Sequence, residues 1–97
     1  MNAAMLAALQ TPVTEALVTD IISRATLVPR ERLTPQASPE ALGIDSLGLV
    51  EVIFALEEAF DIKVPFNAHQ TADGLDTSSI GAITARVQAL VAARRAA

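Results

Sequence analysis

The stretch Leu42–Val64 reads LGIDSLGLVEVIFALEEAFDIKV and changes character after its fifth residue. A short polar step, Gly43-Ile44-Asp45-Ser46, opens an apolar-periodic run that is the strongest helix signal in the chain. The spacing predicts a helix from about Ser46 to Phe60, with Asp45 or Ser46 as its cap. Val52, Ile53, Leu56 and Phe60, with Ala59, form one apolar face; Leu47, Val50 and Phe54 form a second row, and Glu51, Glu57 and Glu58 supply charge beside them. An apolar arc this wide exceeds what a small core covers, so part of it is expected to meet a partner. Ser46 falls in the first turn, where backbone N–H groups lack intrahelical partners and the field favours anions. A phosphate would sit well there.

Outward from this helix, Pro65 biases Val64 away from helical angles, so Ile62–Val64 should leave in an extended step. Residues 66–76 read as loop, with a short helical turn near Asn67–Thr71 or Asp73–Leu75. A further helix begins after Ser78 or Ser79 as cap and carries Ile80, Ile83, Val87, Leu90 and Val91 inward, with Gly81 weakening its first turn and Arg94 and Arg95 at its negative pole. On the other side, Thr11-Pro12 is a sound helix start, Val13, Leu17, Ile21 and Val28 recur with Ala16, Val18, Ile22 and Ala25 beside them, and Pro29 closes that helix. Between Val28 and Asp45 lies a long Pro-bearing connection that Leu33, Leu42 and Ile44 are available to pin. Ser38 and Pro39 can cap and open one helical turn within it. The pattern is all-α: a small antiparallel bundle of three main helices plus one short helix, with residues 1–10 as an Ala-rich extension and a core at about 11–92.

The totals narrow the chemistry. Ninety-seven residues, 52% of them hydrophobic, suit one domain with one modest core. There is no cysteine, which excludes disulfides and thiolate metal sites, and the one histidine, His69, cannot build a metal cluster alone. A net charge of -4 and 3% aromatic residues argue against a nucleic-acid surface and against base-stacking platforms. A basic partner fits better. The opening MNAAMLAALQ has no basic residue ahead of its apolar part, so no secretory leader is expected, and no run is long enough for a membrane span. The expectation is a cytoplasmic monomer.

Three readings of Asp45-Ser46 compete. As plain capping residues they explain the polarity, but neither completes a capping box, because the third residue on is Gly48 or Leu49. As a hydrolase nucleophile, Ser46 lacks the glycine two residues ahead and the preceding strand that the elbow requires, and His69 in a loop reads as a surface residue. The third reading takes the whole stretch together.

A long Pro-bearing loop, then LGIDSL, then an acidic apolar helix with ALEEAF, then DIKVP, resembles the acyl carrier proteins of fatty-acid and polyketide synthesis. The likeness runs from about Thr11 to Leu90 and is tightest over Leu42–Pro65. It implies that Ser46 is the attachment point of 4'-phosphopantetheine, transferred from coenzyme A by a phosphopantetheinyl transferase with Mg²⁺. The chain would then be a carrier and no enzyme. Asp45 matches the acidic residue that helps present the serine to the transferase. Leu47, Val50, Glu51 and Phe54 match positions that meet partner enzymes, and Glu57 and Glu58 match the family's further acidic residues. Partners of this kind would be an acyl synthetase, ketosynthase or acyltransferase with a basic docking surface.

The charge is placed as that reading requires. Asp45, Glu51, Glu57 and Glu58 are the four charged residues between Asp45 and Phe60, all acidic, and together they equal the net charge of the chain. The pattern breaks at Gly48, often acidic in bacterial fatty-acid carriers, at the apolar Leu49 and at the bulky Phe54. These departures point to a dedicated carrier with its own partners, or to packing of Leu49 and Phe54 against an altered loop or the extension. A peptidyl or aminoacyl carrier shares the chemistry and differs in cargo and partner; acidic ALEEAF and Asp rather than His before the serine lean toward acyl. An unmodified helical interaction module remains the alternative from another class.

Overall fold

The computed structural model describes residues 13–64 and 76–96. Among them are helices α1 (Glu15–Thr26), α2 (Ser46–Phe60) and α3 (Ile80–Ala96), a 3₁₀ turn at Arg30–Arg32, and no strand. The expected all-α fold is borne out, and the expected bounds of α2 are those observed. The short helix expected near residues 67–75 and the extension at 1–10 lie outside the described residues.

Helix α1 starts later than Thr11-Pro12 suggested. Thr14 is extended, and its Oγ1 accepts the Leu17 N–H at 3.1 Å, while Glu15 occupies the first turn. This is a complete cap with a favourably placed acid, so the helix needs nothing upstream. The helix also ends before Pro29. Leu27 takes left-handed angles, φ 64° and ψ 15°, with its N–H on the Ser23 carbonyl. Pro29 follows two residues later, where a proline commonly stands after such a cap. The buried face differs accordingly: Val18 and Ile22 are fully enclosed, Leu17, Ile21, Val13, Ala25 and Val28 pack at the edge, and Ala16 is exposed. Thr19 is buried because its hydroxyl donates to the Glu15 and Ala16 carbonyls and leaves only its methyl to pack.

Helix α1 packs most closely on α2, and α3 lies against α1. Val18, Ile22, Val52, Leu56, Ile80, Ile83 and Val87 form the sealed centre. Burial of a leucine such as Leu56 contributes about 2 kcal/mol. Ile53, Phe60 and Val91 complete the core as the periodicity predicts, while Ala59 is exposed and Leu90 only half-buried. Thr84, polar and absent from the expected core, is buried with its hydroxyl on the Ile80 carbonyl.

The long connection is built rather than loose. Leu33 and Ile44 are buried and Leu42 packs beside them, as expected. Its backbone adds a second anchor: the first N–H groups of α3, at Ile80 and Gly81, donate to the carbonyls of Ala37 and Pro35, each at 2.9 Å. Helix α3 thus has its orphan donors satisfied by the loop, with Ser79 Oγ accepting from Ala82 N–H at 3.0 Å as side-chain cap. Gly81 is the residue that allows this approach, since a Cβ there would stand 3.0 Å from the Pro35 carbonyl oxygen.

Candidate functional site

The site is assembled by two successive caps. Ser38 Oγ accepts the Ala41 N–H at 3.1 Å and opens the predicted turn at Pro39. That turn closes at Gly43, φ 82°, with Gly43 N–H on Glu40 O at 3.1 Å and Ile44 N–H on Pro39 O at 2.9 Å. This pair of bonds is a Schellman ending, whose left-handed position glycine adopts without strain. Ile44 is the apolar residue just beyond it, and it is buried, fixing the exit of the chain. Asp45 follows directly as the cap of α2: its Oδ1 accepts the Gly48 N–H at 2.8 Å.

Capping therefore falls to Asp45, and Ser46 is free of that duty. It is the first residue of α2, exposed, at the positive end of a 15-residue helix whose first turn contains no acid. A phosphodiester on its Oγ would gain about 0.3–1 kcal/mol from the helix dipole, opposed by the Asp45 carboxylate beside it. The residues present fit such a group: an exposed hydroxyl at the head of a helix whose side-chain cap is supplied by Asp45 rather than by the serine itself.

Leu47, Glu51, Phe54 and Glu58 follow at intervals of four, three and four, so at 3.6 residues per turn they fall in one narrow strip over about 16 Å of helix. All four are exposed, Leu47 by 68% and Phe54 by 63%. The strip alternates apolar and acidic residues, with Asp45 at its head. The two other positions singled out stand apart from it. Val50 is half-buried. Glu57 is half-buried too, and its Oε2 accepts the Val64 N–H at 2.9 Å, clamping the extended Ile62–Val64 segment to α2. Below it, α2 ends at the left-handed Asp61, whose carboxylate pairs with Arg94 of α3.

The three breaks in the family pattern have different physical settings. Gly48 lies against Ile44, whose Cγ2 would be 3.0 Å from a Cβ added there. Leu49 packs on the core, and Phe54 does not. A groove of about 310 Å³ runs between the end of α1 and the start of α2, with Leu27, Val28, Asp45, Leu47, Gly48 and Glu51 among its lining. Leu27 was no candidate on sequence grounds, yet it is 87% exposed at the rim of this groove. Pro29 two residues on was the available signal for a helix end there.

A family model described as "Phosphopantetheine attachment site" matches residues 16–87. The chain belongs to this family. Covalently bound 4'-phosphopantetheine is accordingly its prosthetic group. Over 49 residues, half of the chain, it is 47% identical to the acyl carrier protein of Syntrophobacter fumaroxidans, covering 60% of that protein. Over the same length it is 41% identical to acyl carrier protein AcpXL of Brucella melitensis and 39% identical to that of Rhizobium etli, covering 53% of each. The chain thus spans little more than half the length of these curated relatives. Among the described residues no helix is long and apolar enough to cross a membrane, and no group of three or more His, Cys, Asp or Glu side chains is placed to hold a metal ion.

Proposed function

We propose that this chain is an acyl carrier, with Ser46 bearing the phosphopantetheine arm and the arm's terminal thiol holding acyl groups as thioesters. The observation that carries the reading is the division of labour at the head of α2, where Asp45 caps the helix and leaves the Ser46 hydroxyl exposed within a phosphopantetheine-attachment domain. In the loading reaction the hydroxyl attacks the pyrophosphate of coenzyme A, a phosphodiester forms, and 3',5'-ADP leaves, the proton passing to a base on the transferase. The chain is the substrate of that step and contributes no catalytic group. Acyl cargo, rather than aminoacyl or peptidyl, is favoured by the relatives named above, which are all called acyl carrier proteins.

In this reading the strip Leu47, Glu51, Phe54 and Glu58, headed by Asp45 and flanked by Val50, meets the enzymes that load, extend or remove the acyl group in fatty-acid, lipid or polyketide synthesis. Glu57 contributes charge at its edge while holding Val64. Exposed carboxylates set the approach of a basic partner, and the apolar side chains between them set the fit.

Incubation of the purified chain with coenzyme A, Mg²⁺ and a broad-specificity phosphopantetheinyl transferase, followed by intact mass measurement, tests the assignment. One phosphopantetheine adduct is expected on the wild type and none on Ser46→Ala. An undiminished adduct on Ser46→Ala would sink it.

A further inference from the structure

Helix α3 is the charge opposite of α2. Between Ile80 and Ala96 it carries Arg86, Arg94 and Arg95 and no acidic residue, while α2 carries Glu51, Glu57 and Glu58 and no basic one. Arg86, Leu90 and Arg94 follow at intervals of four, the spacing of a ridge on a helix surface. Leu90 and Arg94 join Ile62 and Lys63 around a hollow of about 300 Å³, which brings a third cation to the ridge with aliphatic side chains between. Within the chain this surface is only partly used. Arg94 pairs with Asp61, but Arg86 has its Nε enclosed without a hydrogen-bond partner among the described residues, Leu90 is half-buried and Lys63 is exposed. A desolvated polar atom left unpaired is a cost that folding alone does not repay.

We infer that this ridge takes the acidic α2 strip of a second copy of the chain. The occupant follows from complementarity in both charge and period. Glu51, Phe54 and Glu58 on α2 read acid, apolar, acid; Arg86, Leu90 and Arg94 on α3 read base, apolar, base. At 1.5 Å per residue their charged ends span about 10 Å and about 12 Å of helix, a difference that Glu and Arg side chains absorb while Phe54 covers Leu90. Phe54, 63% exposed on its own chain, gains an apolar surface there. Arg94 keeps donors for a second carboxylate beside Asp61, because a guanidinium has five N–H groups. Each copy carries a net charge of -4, but a Debye length of about 10 Å at 0.1 M salt confines the exchange to the facing patches. The two surfaces differ, so the contact is heterologous, and a pair of copies leaves one strip and one ridge open for further addition. Two ridges of two to three turns make a contact smaller than the roughly 1,000 Å² of a stable interface, so the association is transient and belongs to concentrated protein. It needs no modification of Ser46. Its consequence is that a docked copy covers the strip proposed for partner enzymes, and they compete with it.

Sedimentation equilibrium of the full, unloaded chain from micromolar to millimolar concentration is the test. At about 0.1 M salt the apparent mass should climb above that of one chain without levelling at two, and at about 1 M it should return to one. Arg86→Glu spoils only the ridge and Glu58→Lys only the strip, so each variant alone should stay a monomer. An equal mixture of the two should form a pair that stops at two chains, joined through the strip of the first and the ridge of the second. That pair also shows that both variants fold; Lys63→Glu, at an exposed position, takes the place of Arg86→Glu where the mixture fails to associate. A wild type that stays monomeric throughout, self-association that survives in either variant alone, or mixtures in which neither ridge variant associates overturns the inference. A monomeric wild type that binds phosphatidylglycerol vesicles, with the binding lost in Arg86→Glu, would assign the ridge to an anionic lipid surface and overturn it as well.

Discussion

Asp45 does two things at one position, and substitutions can separate them. Its Oδ1 on the Gly48 N–H caps α2, and its charge stands beside Ser46, the proposed attachment serine. Asn caps a helix about as well as Asp, whereas Ala leaves the donor unpaired at a cost of about 1 kcal/mol. Asp45→Asn should therefore keep the wild-type Tm yet slow loading by the transferase, and Asp45→Ala should lower both. Equal loading rates for Asp45→Asn and wild type would show that the charge has no part in presentation. Leu27 is the complementary case, a residue with a backbone cost and no folding return. Left-handed angles cost a residue with a Cβ roughly 1–2 kcal/mol, against roughly 0.5–1 kcal/mol for the extra unfolded-state freedom of glycine. Leu27→Gly should thus raise stability by about 0.5–1 kcal/mol in urea unfolding, with loss of the exposed side chain contributing little. A fall of that size would mean that Leu27 packs more than its exposure indicates.

At the scale of elements, the long connection and α3 are one unit, because Pro35 and Ala37 supply the carbonyls that the first turn of α3 lacks. Gly81→Ala should show this: propensity alone predicts a gain of about 1 kcal/mol in a helix, but a Cβ 3.0 Å from the Pro35 carbonyl forces the loop away and strains both bonds. The expected outcome is a net loss of about 1–2 kcal/mol in thermal or urea unfolding, with amide exchange at Ile80 and Gly81 speeding first. A stabilised variant would reject the coupling. The approach to α3 has a pH handle as well. The side chain and backbone N–H of Ser78 hold the exposed Asp76 carboxyl below its usual range. Its contribution is present above the ordinary carboxylate pKa and is lost as pH falls through the lowered value. Apolar periodicity made α2 legible to the residue, and so did the burial of Leu33 and Ile44, because both follow from side-chain type alone. The start of α1 at Glu15, its end at Leu27 and the need for Gly81 depend on backbone angles and on a contact across more than forty residues, which local pattern does not carry. At the head of α2, the place of Ser46 in an exposed first turn was readable from the polar step before the apolar run, whereas Val50, grouped by spacing with Leu47 and Phe54, is half-buried. The grip of Glu57 on Val64 was not readable, since both the charge and its spacing looked like surface.

For the molecule as a whole, charge is segregated rather than spread. Several basic side chains away from α2 are already matched: Arg24 and Arg30 face Asp20 at 3.2 and 3.9 Å, and Arg94 pairs with Asp61. Along α2, Asp45, Glu51 and Glu58 are exposed with no basic residue among them, so the negative field of the chain has one principal source. Exposed pairs such as Arg24 with Asp20 add little stability, and an unpaired exposed strip adds none, so the value of this arrangement lies in encounter with a partner. A Debye length of roughly 10 Å at 0.1 M salt shrinks to roughly 3 Å at 1 M, shorter than the strip itself. Loading by a basic-faced transferase should then lose kcat/KM severalfold across that range, through KM, with kcat nearly constant. Glu51→Gln and Glu58→Gln should each lower kcat/KM at 0.1 M and flatten its dependence on salt, leaving the Tm unchanged. Glu57→Ala should behave differently, because it leaves the N–H of the buried Val64 without its acceptor: a fall of about 1 kcal/mol in stability, with a smaller change in the salt slope. A salt dependence identical in wild type, Glu51→Gln and Glu58→Gln would mean that the strip does not steer the encounter, and that the apolar Leu47 and Phe54 alone select the partner.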